Sequence, residues 1–566
     1  MEDKIKNLIT ESLKSLNIEG ADFVVEHPGD LSMGDYSTNV AMVLSKKLVQ
    51  NPKELADKIV ATMSRFNLDM VEKIQVAGPG FINFYLSPQY YHTALRNILK
   101  AGENYGKVEI HKGKKILTEH TSINLFKPFH IGHLMNNAIG ESITRFARFS
   151  GAEVTAISYP SDVSLGIGKA IFIILADGID KLNSLDTLSE KLTYIGECYV
   201  RGTKAMEEDP SVEPRIREIT KMIYDHIPGP ELEAYEIGKE INLSYFKTMS
   251  DKLGSKFAAY IFESEAGVEG KRLVMEHTGK SLPAGRQVFK ESDGAVIYEG
   301  EQDGLHTRVF VNKEGYPTYE AKDVGLMFLK FSRYNPDISI FITDHEQSEY
   351  FKVVVHAAGK INKVWQDKTV HRTHGRMSFK GQKMSSRLGG VPIASTLLDA
   401  VKEEVTEKAR EIPEQTKEAI SVAALKFAIL KSMAGKNINF DPETSLSFEG
   451  DSGPYLQYST VRAGSILEKA GEVKAEFDLK QDITEVEKYL DRFEEVVTKC
   501  ITLWEPHHMV DYLLNLSQRF NSWYGQVRII DEENKEMQYN LAIVKAFTLV
   551  MKNGLYLLGI ETPEKM

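Results

Sequence analysis

The chain has 566 residues. At about 100–200 residues per domain, this length predicts three or four structural units. Hydrophobic residues make up 42% and charged residues 26% of the sequence, which excludes a disordered or fibrous protein. The 69 basic and 80 acidic residues give a net charge of −11, so the protein does not coat nucleic acid through bulk positive charge. A local basic groove is compatible with this composition.

Cys198 and Cys500 are the two cysteines of the sequence. They exclude a disulfide framework and a cysteine-rich metal cluster, and they favour a reducing compartment. The N-terminal segment lacks a basic region followed by an apolar one, and no run of about 18 apolar residues occurs, so we expect neither a secretory signal nor a membrane span. We therefore expect a cytoplasmic, multidomain protein with no membrane partner.

Residues 1–110 are predicted to form a small α+β domain. Ile5, Ile9 and Leu13 recur at helical spacing, and a second helical pattern covers 41–48. The segment VAGPGFINFYL is typical of a strand bounded by glycines.

Residues 111–392 are predicted to form an α/β domain with a Rossmann-type parallel sheet. KKILTEHT is a short apolar strand, a helical pattern follows up to Gly151, and EVTAIS is the next strand. This βαβ order indicates parallel strands with right-handed crossovers. A further set of strands and helices, beginning with TRVFV, covers 307–373, and the charged, mostly helical region at about 175–290 is expected to be an insertion that splits the sheet. Residues 393–566 are helical almost throughout and predict an α-helical bundle.

The sharpest motif is His130-Ile131-Gly132-His133, at the point where a strand passes into a helix. A helix N-terminus presents free N–H groups to phosphate, and glycine lets a flat ring approach the backbone. Two imidazoles can donate hydrogen bonds to phosphate oxygens as charge develops. On this motif alone, chance occurrence of the tetrapeptide stays open as an alternative.

A second motif, Lys383-Met384-Ser385-Ser386-Arg387, lies in FKGQKMSSRLGG about 250 residues downstream. Glycines on both sides are typical of a mobile loop, and a lysine with serine hydroxyls suits a leaving phosphate. The alternative is a solvated basic loop, which the order of the two motifs disfavours.

The two motifs together resemble the HIGH and KMSKS signatures of class I aminoacyl-tRNA synthetases. The surrounding segments resemble arginyl-tRNA synthetases in particular, namely TEHTSINLFKPFHIGHL, PTYEAKDVG, FEGDSGPYLQYSTVR, VMKNGLYLLGIETPEKM and, near the N-terminus, GDYSTNVAM. The resemblance covers about residues 30–566 and is weakest at about 165–290. It implies that 1–110 is an appended tRNA-contacting domain, that 111–392 is the class I catalytic domain, and that 393–566 is the anticodon-binding domain.

This resemblance implies an arginine–tRNA ligase. Such an enzyme activates L-arginine with ATP to arginyl-adenylate and transfers it to the 3′ end of tRNA(Arg), releasing AMP and pyrophosphate. Family members usually need bound tRNA for activation and are usually monomers. Mg²⁺ is expected to accompany ATP by bridging its phosphates. No zinc is expected, because His371 and His374 have no cysteine or carboxylate pair nearby and are interpreted as strand-end histidines.

The resemblance also implies which residues handle the nucleotide. The expected catalytic residues are Lys127, His130, His133 and Lys383. The expected ATP contacts are His130, Gly132, His133, Lys383, Met384 and Ser385. The loop motif ends in Ser386-Arg387 and lacks the usual second lysine, so Lys127 is expected to replace that charge. The alternative for Lys127 is a surface lysine before a proline.

A guanidinium ligand requires planar carboxylates, because its fixed N–H donors pair bidentately with Asp or Glu. Tyr319 and Asp323 are four residues apart on a predicted helix, so both are expected to face the same way, with a surface hydrogen-bonded pair as the alternative. Glu263 resembles a further such carboxylate, with an exposed glutamate as the alternative. By resemblance, the expected arginine-binding residues are Ser122, Asn124, Glu263, Tyr319, Asp323 and Gln347. Glu119 is either a supporting or a structural residue.

For tRNA, aromatic side chains that stack on unpaired bases are the usual recognition elements. The expected contacts, in predicted helical surroundings at the C-terminal end, are Tyr458, Tyr524 and Arg528. Trp523 is better interpreted as a core residue. Asn39 is expected to contact the tRNA elbow, with a helix cap as the alternative. The family's D-W-G-x-Q segment is replaced here by SDVSL, in which only Asp162 is retained.

Three rival functions are weighed against this one. A class I synthetase for another amino acid is disfavoured by the guanidinium-type carboxylates. A small nucleotidyltransferase with an HxGH motif is shorter and lacks the helical C-terminal third. A non-catalytic RNA-binding protein has no need of His130, His133 and Lys383.

Overall fold

The structure is a computed structural model that describes all residues except 21, 67–69, 280–286, 381–392, 409–410 and 474–481. It consists of two units. The first combines residues 1–105, 462–494 and 515–553, and the second combines 106–461, 495–514 and 554–566.

The N-terminal part of the first unit is an antiparallel sheet covered by helices, which confirms the α+β prediction. In spatial order its strands are Val25–Glu26, Tyr36–Thr38, Phe81–Leu86 and Val71–Ala77. Its helices are Glu2–Ser15, Val40–Leu48, Pro52–Met63 and Pro88–Ala101, with short 3₁₀ turns at Leu31–Met33 and Gly102–Asn104. The segment VAGPGFINFYL forms a hairpin rather than one strand, because Gly78 and Gly80 adopt positive φ angles and reverse the chain.

A five-stranded parallel sheet forms the centre of the second unit. In spatial order its strands are Thr369–His374, Ile338–Asp344, Lys115–Glu119, Glu153–Ser158 and Ala259–Tyr260. Interior strand residues such as Ile116, Ile157 and Ile340 are fully buried, as in parallel sheets covered by helices on both faces. The Rossmann-type parallel sheet is therefore confirmed. Its carboxyl ends meet at one edge, where α/β proteins bind ligands.

The helices around this sheet belong to two groups. Those of the α/β layers are Ile131–Phe149, Glu263–Glu276, Tyr319–Tyr334, Ser348–Ile361 and Lys363–Asp367, with 3₁₀ turns at Glu301–Asp303 and His345–Gln347. Those of the insertion are Leu165–Asp177, Ile179–Asn183, Leu188–Glu208, Glu213–Tyr224 and Pro230–Lys252, with a 3₁₀ turn at Pro210–Val212. These helices lie between the strands Glu153–Ser158 and Ala259–Tyr260 and so separate them in the sequence; from here on the word insertion denotes residues 165–252, whereas the expected range was about 175–290.

The predicted strand TRVFV is a strand, but it does not join the parallel sheet. Arg308–Val311 pairs with Ala295–Tyr298, which pairs with Lys290–Ser292, in a separate antiparallel sheet. These strands are neighbours in the sequence, so they pair as hairpins. The alternation of apolar residues predicts a strand but does not show which strand it pairs with.

The C-terminal part is helical, as predicted, and contributes to both units. Its helices are Ala394–Lys408, Glu414–Leu430, Pro442–Ser445, Gly453–Ala470, Glu485–Asp491, Phe493–Leu503, His507–Tyr524 and Met537–Leu557. One strand, Ile438–Phe440, departs from the helical pattern and pairs in parallel with Met377–Phe379. Within the described part of the chain, no helix has the length and apolar character needed to cross a membrane.

Candidate active site

Two histidines cap the helix Ile131–Phe149 at the carboxyl edge of the parallel sheet. The Nδ1 atom of His130 accepts a hydrogen bond from the Gly132 N–H at 3.1 Å, and the Nδ1 atom of His133 accepts one from the His130 N–H at 3.3 Å. The two rings stack with their centroids 3.7 Å apart. A side chain at Gly132 would come within 3.0 Å of the His130 ring, so the glycine is needed for this close approach.

These bonds determine which ring atoms are free. Because each Nδ1 accepts a backbone hydrogen bond, each neutral ring carries its proton on Nε2. Burial lowers the pKa of both histidines, and the neighbouring positive charge of Lys127 lowers it further. Two neutral imidazoles therefore lie at the helix N-terminus, each with an Nε2–H group to donate.

The residues that follow the second motif are anchored beside this pair. The Ala394 N–H donates to the Phe129 carbonyl at 2.8 Å, and Ile393 forms a β-bridge with His130. On the other flank, the Lys380 N–H donates to the Phe440 carbonyl at 2.9 Å. Lys383, Met384 and Ser385 lie outside the described residues. Their downstream flank nevertheless begins next to the histidines.

Lys127 is exposed, three residues before His130. Its Nζ atom lies 5.0 Å from the centre of the Tyr199 ring, which belongs to an insertion helix. Of the lysines expected to contact phosphate, Lys127 is the one that the structure describes.

Three carboxylates, Glu119, Glu263 and Asp323, lie close enough to one another to interact electrostatically. Glu119 pairs with Lys330 at 2.7 Å, and Glu263 pairs with Lys322 at 2.9 Å. Glu119 is 8% and Glu263 7% exposed, so the alternative of an exposed glutamate at 263 is wrong. The third carboxylate, Asp323, accepts a hydrogen bond from the Tyr350 hydroxyl at 2.6 Å and lies on the same helix as both lysines.

The charges of this group leave one carboxylate without a cation. Within the described residues, Asp323 has no ion-pair partner, whereas the other two carboxylates each have a lysine. Burial, together with the nearby Glu263 and Glu119, raises the pKa of Asp323 to about 8, although the Tyr350 hydrogen bond and the positive charge of Lys330 oppose the rise. A buried carboxyl group with a raised pKa favours binding of a cation, because the positive charge stabilises its ionised form.

Lys322, Lys330 and Tyr350 were missed in the sequence. A signal for the two lysines exists, since they occupy the apolar stripe of their helix among residues such as Leu326 and Leu329. A lysine in a buried stripe indicates a buried carboxylate partner.

The other expected arginine contacts differ in their exposure. Ser122 and Asn124 are half-buried, and Asn124 forms a β-bridge with Ser161. Tyr319 is the first residue of its helix and is 60% exposed, one turn before Asp323. Gln347 is exposed at the end of a short 3₁₀ turn.

Asp162, the residue retained from the family segment, is fully buried and links two helices. It accepts hydrogen bonds from the Tyr235 hydroxyl at 2.9 Å, from the Lys239 Nζ at 3.1 Å, and from the N–H and hydroxyl of Ser264 at 2.9 and 2.7 Å. Asp162 therefore joins the insertion to the helix that bears Glu263.

His371 and His374 both lie in the strand Thr369–His374, as interpreted from the sequence. The Nε2 atom of His371 is 2.8 Å from the Thr343 hydroxyl, whereas Nδ1 of His374 is 2.7 Å from the Gly375 carbonyl. The two rings thus have separate partners.

The residues expected to contact tRNA lie in both units. In the first unit, the Asn39 side chain accepts a hydrogen bond from the Val24 N–H at 3.1 Å instead of capping the helix that it precedes. Tyr524 is 37% exposed and stacks on Phe520, with the Arg462 guanidinium 5.5 Å from its ring. Arg528 is exposed in the loop after this helix, so its predicted helical surroundings are wrong.

Trp523 is half-buried, with its ring 6.0 Å from that of Phe520. Tyr458 belongs to the second unit, is half-buried, and packs edge-on against Phe448.

Three protein-family domains match consecutive parts of the chain. Residues 3–86 match the arginyl tRNA synthetase N terminal domain, residues 94–441 match the tRNA synthetases class I (R) catalytic domain, and residues 456–566 match the DALR anticodon binding domain. The catalytic match alone covers more than half of the chain. The chain belongs to the arginyl-tRNA synthetase family.

Related proteins align with nearly the whole length of the chain. The arginine–tRNA ligase of Exiguobacterium sibiricum is 30% identical over 98% of this chain and 97% of its own. That of Clostridium acetobutylicum is 28% identical over 99% of this chain and all of its own. The Thermus thermophilus arginyl-tRNA synthetase structure is 25% identical, covers both chains completely and has a TM-score of 0.81. Membership of the arginyl-tRNA synthetase family therefore extends to all three expected parts of the chain, and the class I fold is confirmed.

Proposed function

We propose that this protein is an arginine–tRNA ligase, which activates L-arginine with ATP and transfers it to the 3′ end of tRNA(Arg). The observation that carries the proposal is that the N-terminal, catalytic and anticodon-binding domain matches of one family follow in order from residue 3 to residue 566. The geometry of the second unit supports it, because a helix N-terminus capped by two histidines, which is suited to phosphate, and a group of buried carboxylates, which is suited to a cation, both lie there.

For the nucleotide, we assign His130 and His133 to the phosphates. Their Nε2–H groups and the free N–H groups of the helix N-terminus donate hydrogen bonds to phosphate oxygens as negative charge develops. Lys127 and Lys383 contribute positive charge, and Gly132, Met384 and Ser385 complete the ATP contacts. Mg²⁺ enters with ATP as part of the substrate.

For the amino acid, we assign the guanidinium to Asp323, with Tyr319 at the rim and Glu263 behind it. Lys322 neutralises Glu263 and so leaves Asp323 as the acceptor for the guanidinium. Ser122, Asn124 and Gln347 hold the α-amino and carboxylate groups, because hydroxyl and amide groups offer donors and acceptors together.

The reaction requires no covalent enzyme intermediate. The carboxylate of arginine attacks the α-phosphorus of ATP in line, a phosphorus–oxygen bond forms, and the bond to the leaving pyrophosphate breaks. A ribose hydroxyl at the tRNA 3′ end then attacks the carbonyl of arginyl-adenylate, and AMP leaves. Positioning and electrostatic stabilisation supply the catalysis.

For tRNA, we assign base stacking to Tyr458 and Tyr524, backbone contact to Arg528, and contact with the elbow to Asn39. Tyr524 supports this, because its ring is 37% exposed and lies beside the Arg462 guanidinium, and aromatic rings next to positive charges are typical of surfaces that bind single-stranded nucleic acid. We expect the active species to be a monomer.

The test is arginylation of total tRNA and ATP–pyrophosphate exchange, each measured with all twenty amino acids, with and without tRNA. We expect turnover with arginine alone, and exchange that depends on tRNA. Exchange with another amino acid would indicate a synthetase of different specificity, and tRNA binding without any turnover would indicate a non-catalytic RNA-binding protein.

A further inference from the structure

The segment that carries Ser122 and Asn124 is bounded by two residues in an unusual backbone conformation. Thr121 and Phe126 have φ angles of +58° and +63°, and both side chains are fully buried. The left-handed region is unfavourable for a β-branched or bulky residue, so such a conformation persists only where surrounding contacts enforce it. Strained residues of this kind concentrate at functional sites.

At the first boundary, the enforcing contact comes from the helix that the two histidines cap. The Thr121 N–H donates to Oδ1 of Asn136 at 2.6 Å, and Nδ2 of Asn136 donates to the Ile342 carbonyl at 2.7 Å. The remaining polar groups of Thr121 are also bonded, its carbonyl by the Ser158 hydroxyl at 3.0 Å and its hydroxyl by Nδ2 of Asn137 at 3.2 Å. Asn136 therefore bridges the turn to a neighbouring strand.

At the second boundary, the enforcing contact comes from the divergent insertion. The Phe126 N–H donates to Oδ1 of Asn242 at 3.2 Å, and Nδ2 of Asn242 donates to the Gly238 carbonyl at 2.8 Å. Asn242 is 4% exposed. A side chain at Gly238 would lie 2.3 Å from the Phe126 ring, so the glycine lets the ring seat against this helix.

The two boundaries thus use the same device, a left-handed residue whose N–H is bound by an asparagine side chain of a separate helix. Between them, Ile123 and Leu125 exchange backbone hydrogen bonds with Ser161 at 2.8 and 3.0 Å. This leaves Ser122 and Asn124 as the partly exposed side chains of a segment that is held at both ends.

We propose that Asn136 and Asn242 are positioning residues for the amino-acid site, which hold the backbone of 121–126 so that Ser122 and Asn124 meet the substrate. The inference rests on the proposed function. It gives the insertion a role in arginine binding, and it couples the helix that bears His130 and His133 to the amino-acid contacts through Thr121. Neither asparagine touches the substrate.

The experiment compares Asn136→Ala and Asn242→Ala with the control Thr144→Val in the full-length protein. Thr144 is buried in the same helix as Asn136 and bonds the Thr118 hydroxyl at 2.8 Å, away from the segment 121–126. Arginylation kinetics give KM for arginine and for ATP, and thermal unfolding gives the stability of each variant. We expect each asparagine variant to raise the KM for arginine about tenfold or more, since small misplacements of reacting groups have effects of this size. The KM for ATP should change less than about twofold, and the control should lose stability without any change in the KM for arginine.

A double-mutant cycle separates backbone positioning from general loosening. Glycine adopts the left-handed conformation without strain, so in a Thr121→Gly background the loss of Asn136 should raise the KM for arginine much less. Equal increases in both backgrounds, or a normal KM for arginine in folded Asn136→Ala, would overturn the proposal. If Asn242→Ala does not fold, this cycle still decides the proposal for Asn136, and the same kinetics on Asn242→Ser decide it for Asn242. Failure of the wild-type protein to charge tRNA with arginine is a separate outcome, which would refute the proposed function itself.

Discussion

The carboxyl group of Asp323 makes arginine binding depend on pH. Its pKa is raised to about 8 by burial and by Glu263 and Glu119, while its partner in binding, a guanidinium, stays protonated at all relevant pH values. The bound state requires the ionised carboxylate. Arginine must therefore displace a proton from Asp323 whenever the pH is below about 8.

The sign and size of the effect follow from that pKa. Each pH unit below 8 costs the complex about 1.4 kcal/mol, which is a tenfold weaker affinity. The KM for arginine should fall about 50-fold between pH 6 and pH 8 and about twofold more before it levels off above pH 9. Asp323→Asn removes the charge, so its KM should be independent of pH. At pH 8.5 its KM should exceed that of the wild type by about 30-fold to several thousand-fold, the range of 2–5 kcal/mol for loss of one partner of a buried charge pair.

The assay is arginylation at saturating ATP and tRNA from pH 6 to pH 9, with arginine varied. Tyr350→Phe provides a graded test, because the Tyr350 hydrogen bond lowers the pKa of Asp323 and its loss should move the plateau to higher pH. The matched control is Asp367→Asn, which removes an exposed carboxylate that pairs with Lys363. Its profile should superimpose on that of the wild type.

Two results would refute the reasoning. A wild-type KM for arginine that does not change between pH 6 and pH 8 would contradict the raised pKa. A normal KM in Asp323→Asn would place the guanidinium elsewhere, with Glu263 as the next candidate.

Three further expectations concern other groups. His130→Ala or His133→Ala should cost about 2–4 kcal/mol in kcat/KM with a much smaller change in ATP binding, as for loss of one preorganised donor; an equal loss in ATP affinity would reduce the histidines to simple binding groups. Lys127→Ala should impair adenylate formation more than Lys127→Arg does. Adding Ser386→Lys to Lys127→Ala should restore part of the rate if the missing charge is the cause, and ATP–pyrophosphate exchange measures this. Burial lowers the pKa of Lys426 to about 7, and its Nζ donates to the Leu253 and Gly559 carbonyls at 2.6 Å. Between about pH 7 and pH 10 the unfolded chain binds more protons than the folded one, so this lysine should make the free energy of unfolding rise with pH. Lys426→Met should remove that part of the pH dependence in thermal unfolding. An unchanged pH dependence would exclude Lys426 as its source.

Much of the fold follows from local sequence patterns. The strand Lys115–Glu119, the helix Ile131–Phe149 and the strand Glu153–Ser158 were predicted from apolar spacing and from the residues at their ends. The histidine cap of that helix is likewise local, since its hydrogen bonds join residues two and three apart. Periodicity and capping act within a few residues, and a sequence displays such relations directly.

The charge state of the candidate site was decided by tertiary structure. Glu119 and Lys330 are 211 residues apart, and Glu263 and Lys322 are 59 apart, yet among the described residues these pairs leave Asp323 without an ion-pair partner of its own. Asp162, a single retained residue in the sequence, becomes a buried link between the insertion and the helix that bears Glu263. Local periodicity does not reveal which distant side chains share a buried volume, and the loss of solvent there sets both the ion pairs and the pKa values. The residue types of the site are therefore properties of the sequence, whereas their charges and partners arise only when the helices Glu263–Glu276 and Tyr319–Tyr334 and the strand Lys115–Glu119 come together in the tertiary structure.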